Sequence, residues 1–139
     1  PEPLSDEFSV DYLMGRAANV KRNIKTFLMD SEVVVGVGNI YANEALYYSG
    51  IRPLAEAGKV SRRRMDRLVP AVKMVLEKAI QAGGTSLRDF LHEDGKPGYF
   101  RHELQVYGRE GEACYRCGGA LTSLRISSRA TVFCKRCQR

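Results

Sequence analysis

Cys114-Tyr115-Arg116-Cys117, then sixteen residues, then Cys134-Lys135-Arg136-Cys137: this stretch decides how the last quarter of the 139-residue chain folds. Each Cys-x-x-Cys knuckle offers two thiolates to one tetrahedral ion, and the residues between can double back as a hairpin. Gly118-Gly119 turns the chain out of the first knuckle. Leu121 to Ile126 is rich in apolar and β-branched residues, Ser127-Ser128-Arg129-Ala130 can turn, and Thr131-Val132-Phe133 returns to the second knuckle. The pattern predicts one structural zinc ion on Cys114, Cys117, Cys134 and Cys137, with no position open for catalysis. Two disulfides in a small secreted module are the alternative, but the first 113 residues carry no cysteine and no stretch resembles a signal peptide.

The chain is 44% hydrophobic, and no apolar run approaches the roughly 20 residues that cross a bilayer. Its formal charge is +6 and unevenly placed. Residues 1–100 hold 14 Lys/Arg against 13 Asp/Glu, whereas residues 101–139 hold 8 against 3. A small module carrying most of the positive excess suggests a polyanionic partner, nucleic acid first. A merely solvated basic surface is the plainer reading.

Upstream of the knuckles the chain reads as helical. After an acidic lead-in, Ser9 can cap a helix to about Ala18, and a second short helix is expected over Lys21–Met29. Val33–Val37 has the composition of a buried strand but no evident partner, so an extended double turn is expected. Asn39 is read as the N-cap of a helix over Ile40–Ser49, ended by Gly50. Gly36 and Gly38 either permit a tight turn or let the backbone approach another molecule. In the second case the free N–H groups of the next helix would face a phosphate.

Ser61 then opens a long amphipathic helix. Its apolar stripe runs from Met65 through Leu68, Val72, Val75 and Leu76, and Pro70 is expected to kink it or to delay its start to Asp66. Arg62-Arg63-Arg64 reads as a solvated face. Gly83-Gly84 stops the helix, and Glu93 to Phe100 forms a loop long enough to be a lid. The fold class is therefore mainly α with a small β-hairpin zinc finger. The expected division is a helical part over residues 1–100 and a connector with the four-cysteine hairpin over 101–139.

Several stretches together resemble the bacterial formamidopyrimidine-DNA glycosylases. They are Pro1-Glu2-Pro3-Leu4-Ser5, Phe27-Leu28-Met29-Asp30, Val35-Gly36-Val37-Gly38-Asn39-Ile40-Tyr41-Ala42, Gly83-Gly84-Thr85, Asp94 to Phe100, Val106-Tyr107-Gly108-Arg109 and the four cysteines. The resemblance implies the C-terminal part of such an enzyme: a helix–two-turn–helix domain followed by a zinc hairpin, both gripping kinked duplex DNA. It implies that Asn39, Gly38, Lys25 and Arg129 meet the DNA backbone. Gly95, Lys96, Pro97, Gly98 and Tyr99 would belong to the loop that closes over an everted oxidised purine.

It also implies that the catalytic proline and glutamate lie in an N-terminal domain this chain lacks, so that Pro1-Glu2 is linker and no residue here is catalytic. The expected partners are double-stranded DNA containing oxidised purines and that missing domain, in a monomer of the bacterial cytoplasm associated with the nucleoid. A non-catalytic zinc-ribbon module for DNA or protein binding is the alternative from another class.

Overall fold

A computed structural model describes residues 1–81 and 104–139. Among the described residues four α-helices come first: α1 (Val10–Ala17), α2 (Ile24–Met29), α3 (Asn39–Ser49) and α4 (Arg62–Gln81), with a 3₁₀ turn at Ala57–Lys59 before the last. Strands β1 (Thr122–Ile126) and β2 (Arg129–Phe133) then form one antiparallel hairpin. The mainly helical architecture with a two-stranded finger is the one expected.

Local chemistry sets the helix starts. Ser9 Oγ accepts the Tyr12 N–H and begins α1, while Asn23 Oδ1 accepts the Thr26 N–H at 2.8 Å. The asparagine cap corrects the expected start of α2, which lies at Ile24 rather than Lys21. Ser61 caps α4, accepting Met65 N–H on its carbonyl and Arg64 N–H on its hydroxyl. Pro70 does not delay that helix to Asp66: α4 already runs from Arg62, with Pro70 inside it on an exposed position. The carbonyl its ring leaves without an N–H donor can then turn to water.

Helix α3 is the axis of the molecule. Nine of its eleven residues are buried, so it has no solvent face and must be covered all round. The stripe of α4 packs on one side, with Met65 and Leu68 fully buried, and Phe27 and Leu28 of α2 join the same core. Residues 30–38 are the double turn the sequence suggested. Asp30 accepts Val33 and Val34 N–H on its carbonyl and Glu32 N–H on its side chain. From α1, Tyr12 and Arg16 donate to the carbonyls of Val33 and Glu32. Gly36, at φ +83°, supplies the left-handed residue that reverses the chain into α3.

Candidate nucleic-acid interface

The hairpin closes through Ser127 and Ser128, both at positive φ (50° and 65°), the two-residue turn whose twist matches paired strands. Arg129 is therefore the first residue of β2, paired with Ile126, and not part of the turn itself. Peptide groups alternate along a strand. Those of Arg129, Thr131 and Phe133 meet β1, and those of Ala130 and Val132 face outward on the free edge. Unpaired strand edges invite other chains unless something covers them.

Here helices cover that edge with side chains. Asn43 of α3 accepts the Val132 N–H on Oδ1 at 2.8 Å and reaches the Ala130 carbonyl with Nδ2 at 3.3 Å. Asn39 Nδ2 donates to the same carbonyl at 3.0 Å and Lys25 Nζ at 3.2 Å. Three donors thus converge on an oxygen with two lone pairs, directly beside Arg129. Lys25 also donates to Thr131 Oγ1 at 2.6 Å.

One expectation changes, and one residue gains a second role. Asn39 is not a cap: Gly38 occupies that position with no side-chain bond, and Asn39 is the first helical residue. Its amide goes to the hairpin, because the neighbouring strand edge offers a carbonyl where the helix start offers only N–H groups. Lys25, expected near the DNA backbone, is 1% exposed and also anchors the hairpin beside Arg129. Burial lowers its pKa to about 8, and the Arg129 guanidinium adds to the shift. Lys25, Arg22 and the exposed Arg129 line one groove of about 290 Å³ between α2 and the hairpin turn. Lys25 and Arg129 thus share a depression without an acid between them, although Asp30 on its rim pairs with Arg22 at 2.7 Å.

The two glycines before α3 separate cleanly. Gly36 is required by its own backbone. Gly38 is not: its φ of −83° suits any residue, and an added Cβ would meet nothing nearer than Tyr41 Cδ2 at 3.9 Å. The protein leaves space in front of the first N–H groups of α3.

At the far end of the hairpin the four cysteine sulfurs lie within 4.8 Å of one another, none of them in a disulfide. Cys114 Sγ and Cys137 Sγ are 3.9 Å apart, Cys117 Sγ and Cys134 Sγ 3.5 Å. Zinc–sulfur bonds of about 2.3 Å in a tetrahedron place sulfurs about 3.8 Å apart, whereas a disulfide needs about 2.05 Å. The residues fit one structural zinc ion. Burial and the neighbouring sulfurs push the Cys137 thiol up to about 12, and a bound cation would offset the repulsion among four thiolates held this close. The hydroxyl of Tyr47 lies 3.2 Å from Cys114 Sγ, tying α3 to this end as Asn43 ties it to the other.

Sequence reasoning missed Asn43, Glu44 and Tyr47. Glu44 is buried and accepts the N–H groups of Gln105, Val106 and Tyr107 at 2.6, 2.9 and 3.0 Å. Burial raises its pKa against the pull of those donors. The available signal was Asn39 and Asn43 one helical turn apart in a segment otherwise largely apolar. Gly95, Lys96, Pro97, Gly98 and Tyr99 lie outside the described residues.

Two family models match the chain: "Formamidopyrimidine-DNA glycosylase H2TH domain" over residues 1–91, and "Zinc finger found in FPG and IleRS" over residues 111–139. The formamidopyrimidine-DNA glycosylase of Xanthomonas campestris pv. campestris strain 8004 is 62% identical over 139 residues, 100% of this chain and 51% of that protein. That of Shewanella halifaxensis is 56% identical with the same coverage. The crystal structure of the MutM (Fpg) protein from Thermus thermophilus superposes with a TM-score of 0.89 at 36% identity, over 99% of this chain and 53% of that one. A complex of Lactococcus lactis Fpg with abasic-site DNA gives 0.88 at 34%, over 100% and 51%. The chain spans about half the length of the curated relatives it matches.

Proposed function

Because the chain belongs to the formamidopyrimidine-DNA glycosylase family, we propose that it is the C-terminal, DNA-holding part of a base-excision repair glycosylase and abasic-site lyase acting on oxidised purines such as 8-oxoguanine and formamidopyrimidines. Residues 1–100 would be its helix–two-turn–helix domain, and 101–139 the connector and zinc hairpin. The parent would work as a monomer in the bacterial cytoplasm, at the nucleoid.

The observation that carries this reading is the convergence of Lys25 and Asn39 on the carbonyl next to Arg129, beside the uncapped start of α3. A phosphate entering in front of Gly38 meets backbone N–H groups and the positive end of an eleven-residue helix. A neighbouring phosphate meets the Arg129 guanidinium. Everting a base costs a few kcal/mol of unstacking, which fixed phosphate contacts on both sides of the kink help to offset. Zinc, when bound, supplies no chemistry here; it holds the hairpin, and the hairpin aims Arg129. The base-excising amine and its carboxylate are assigned to the other half of the parent, where attack at C1′ releases the base and a Schiff base precedes strand cleavage. Pro1, whose carbonyl accepts the Val35 N–H at 3.0 Å, is assigned a linker role.

The test uses the intact protein on duplex containing a stable abasic analogue. Arg129→Ala should weaken binding about fivefold at physiological salt and lower the salt slope by about 0.9, and Asn39→Ala should weaken it by a similar factor. Sequence preference should not change, since phosphate contacts carry none. An unchanged affinity in both variants, with the Arg129→Ala slope also unchanged, would sink the assignment.

A further inference from the structure

A depression of about 870 Å³ lies at the other end of the hairpin and has no part in the contacts above. Arg52, Lys59, Arg64, Lys135 and Arg139 line it, with Glu56 as its one carboxylate side chain. A second depression adjoins it, sharing Arg64 and Arg139 and adding Arg63 and Arg67. Lys59 pairs loosely with Glu56 at 3.7 Å; none of the other six cations makes a side-chain ion pair among the described residues.

These charges come from three separate pieces of chain: the segment after α3, the start of α4, and the second knuckle with its tail. The fold brings them together firmly. Arg139 N–H donates to the Gly50 carbonyl at 2.9 Å, and Arg52 N–H donates to the Arg139 carbonyl. The buried Gln138 side chain joins the Ile51 carbonyl to the Cys134 N–H. Gathering like charges raises the energy of the folded state, and a bound polyanion removes that repulsion.

Position selects the polyanion. Arg129, Thr131 and Phe133 project from the same face of β2, and Phe133 is part of the groove wall. Four residues of strand separate Arg129 from Phe133 by about 13 Å, close to the rise of about four base pairs, at about 3.4 Å each, along a duplex axis. We infer that this basic groove is a second phosphodiester-binding site, which holds nucleic-acid backbone beyond the phosphates that Arg129 reaches. The inference rests on the duplex approach proposed above. The backbone can belong to the flank of the same duplex or to a second nucleic acid.

The experiment compares the intact protein with its Arg52→Gln/Lys135→Gln/Arg139→Gln variant, all three at exposed positions. An unchanged melting temperature and zinc content establish that the variant is folded. An Arg63→Gln/Arg67→Gln variant, on the adjoining depression, serves if the first is not. Binding is measured on duplexes whose flanks extend about two or about ten nucleotides from the abasic analogue, spans chosen to fall short of or pass the groove. If the groove holds the same duplex, the triple variant loses about a hundredfold on the long duplex, its salt slope falls by about 2.7, and the short duplex binds as before. If it holds a second molecule, the variant loses the second equivalent of short duplex bound by the parent protein. Unchanged affinity and stoichiometry on both lengths overturns the site. Arg129→Ala should weaken both lengths alike, so failure of the groove and failure of the primary interface give different patterns.

Discussion

Replacing Asn43 by alanine should detach the zinc hairpin from the helical core without touching zinc or any proposed phosphate ligand. The Asn43 side chain is fully buried. Its Oδ1 is the acceptor for the Val132 N–H, and its Nδ2 serves the carbonyls of Asn39 and Ala130. Alanine leaves the Val132 N–H buried without a partner, about 1–3 kcal/mol. The two carbonyls lose less: Ala130 keeps Asn39 and Lys25 as donors. With the space vacated by the amide, the total is about 3 kcal/mol, or about 10 °C in Tm at about 2.1 cal/mol/K of unfolding entropy per residue. Urea unfolding measures the sum, and hydrogen exchange at Val132 localises it. Affinity for abasic-analogue DNA should fall with it, because Arg129 is aimed by this strand. A loss below about 0.5 kcal/mol with Val132 still protected from exchange would refute the reasoning, since the edge of β2 would then be held by something else.

Gly38→Ala should leave stability within about 0.5 kcal/mol, since its backbone suits alanine and the Cβ makes only an ordinary contact with Tyr41 Cδ2, yet weaken DNA binding at least about tenfold. Gly36→Ala, at φ +83°, should instead destabilise by about 1–2 kcal/mol on thermal melting. DNA affinity should fall as pH rises through about 8: free Lys25 loses its proton there, whereas a nearby phosphate holds the proton on, so the complex binds more protons than the free protein. Lys25→Met should flatten that profile, and a slope surviving the substitution would point to another group. Chelating zinc should disorder residues 114–137 and weaken binding while the helical circular dichroism largely persists. Tyr47→Phe, which deletes the hydroxyl beside Cys114, should lower zinc affinity in competition with a chromophoric chelator.

The short-range chemistry of this chain was legible in the order of its residues. Cysteine spacing specified a tetrahedral site because four thiolates two by two admit few other geometries. Ser9 and Ser61 announced helix starts because a hydroxyl there answers orphan N–H groups two or three residues on. The apolar stripe of α4 followed from its period, and the turn at 30–38 from a strand-like run with no evident partner. Asn39 was found as a residue but misread as a cap, since the sequence alone shows a good N-cap side chain and not the strand edge that competes for it. Tertiary structure alone decided the partners separated by tens of residues: the Asn43 amide on Val132, the Glu44 carboxylate under Gln105 to Tyr107, and Lys25 buried against Ala130. None of these has a local signature. A buried polar side chain is admitted only where a distant backbone supplies its hydrogen bonds, and which backbone arrives there is settled when α3 is covered on every side.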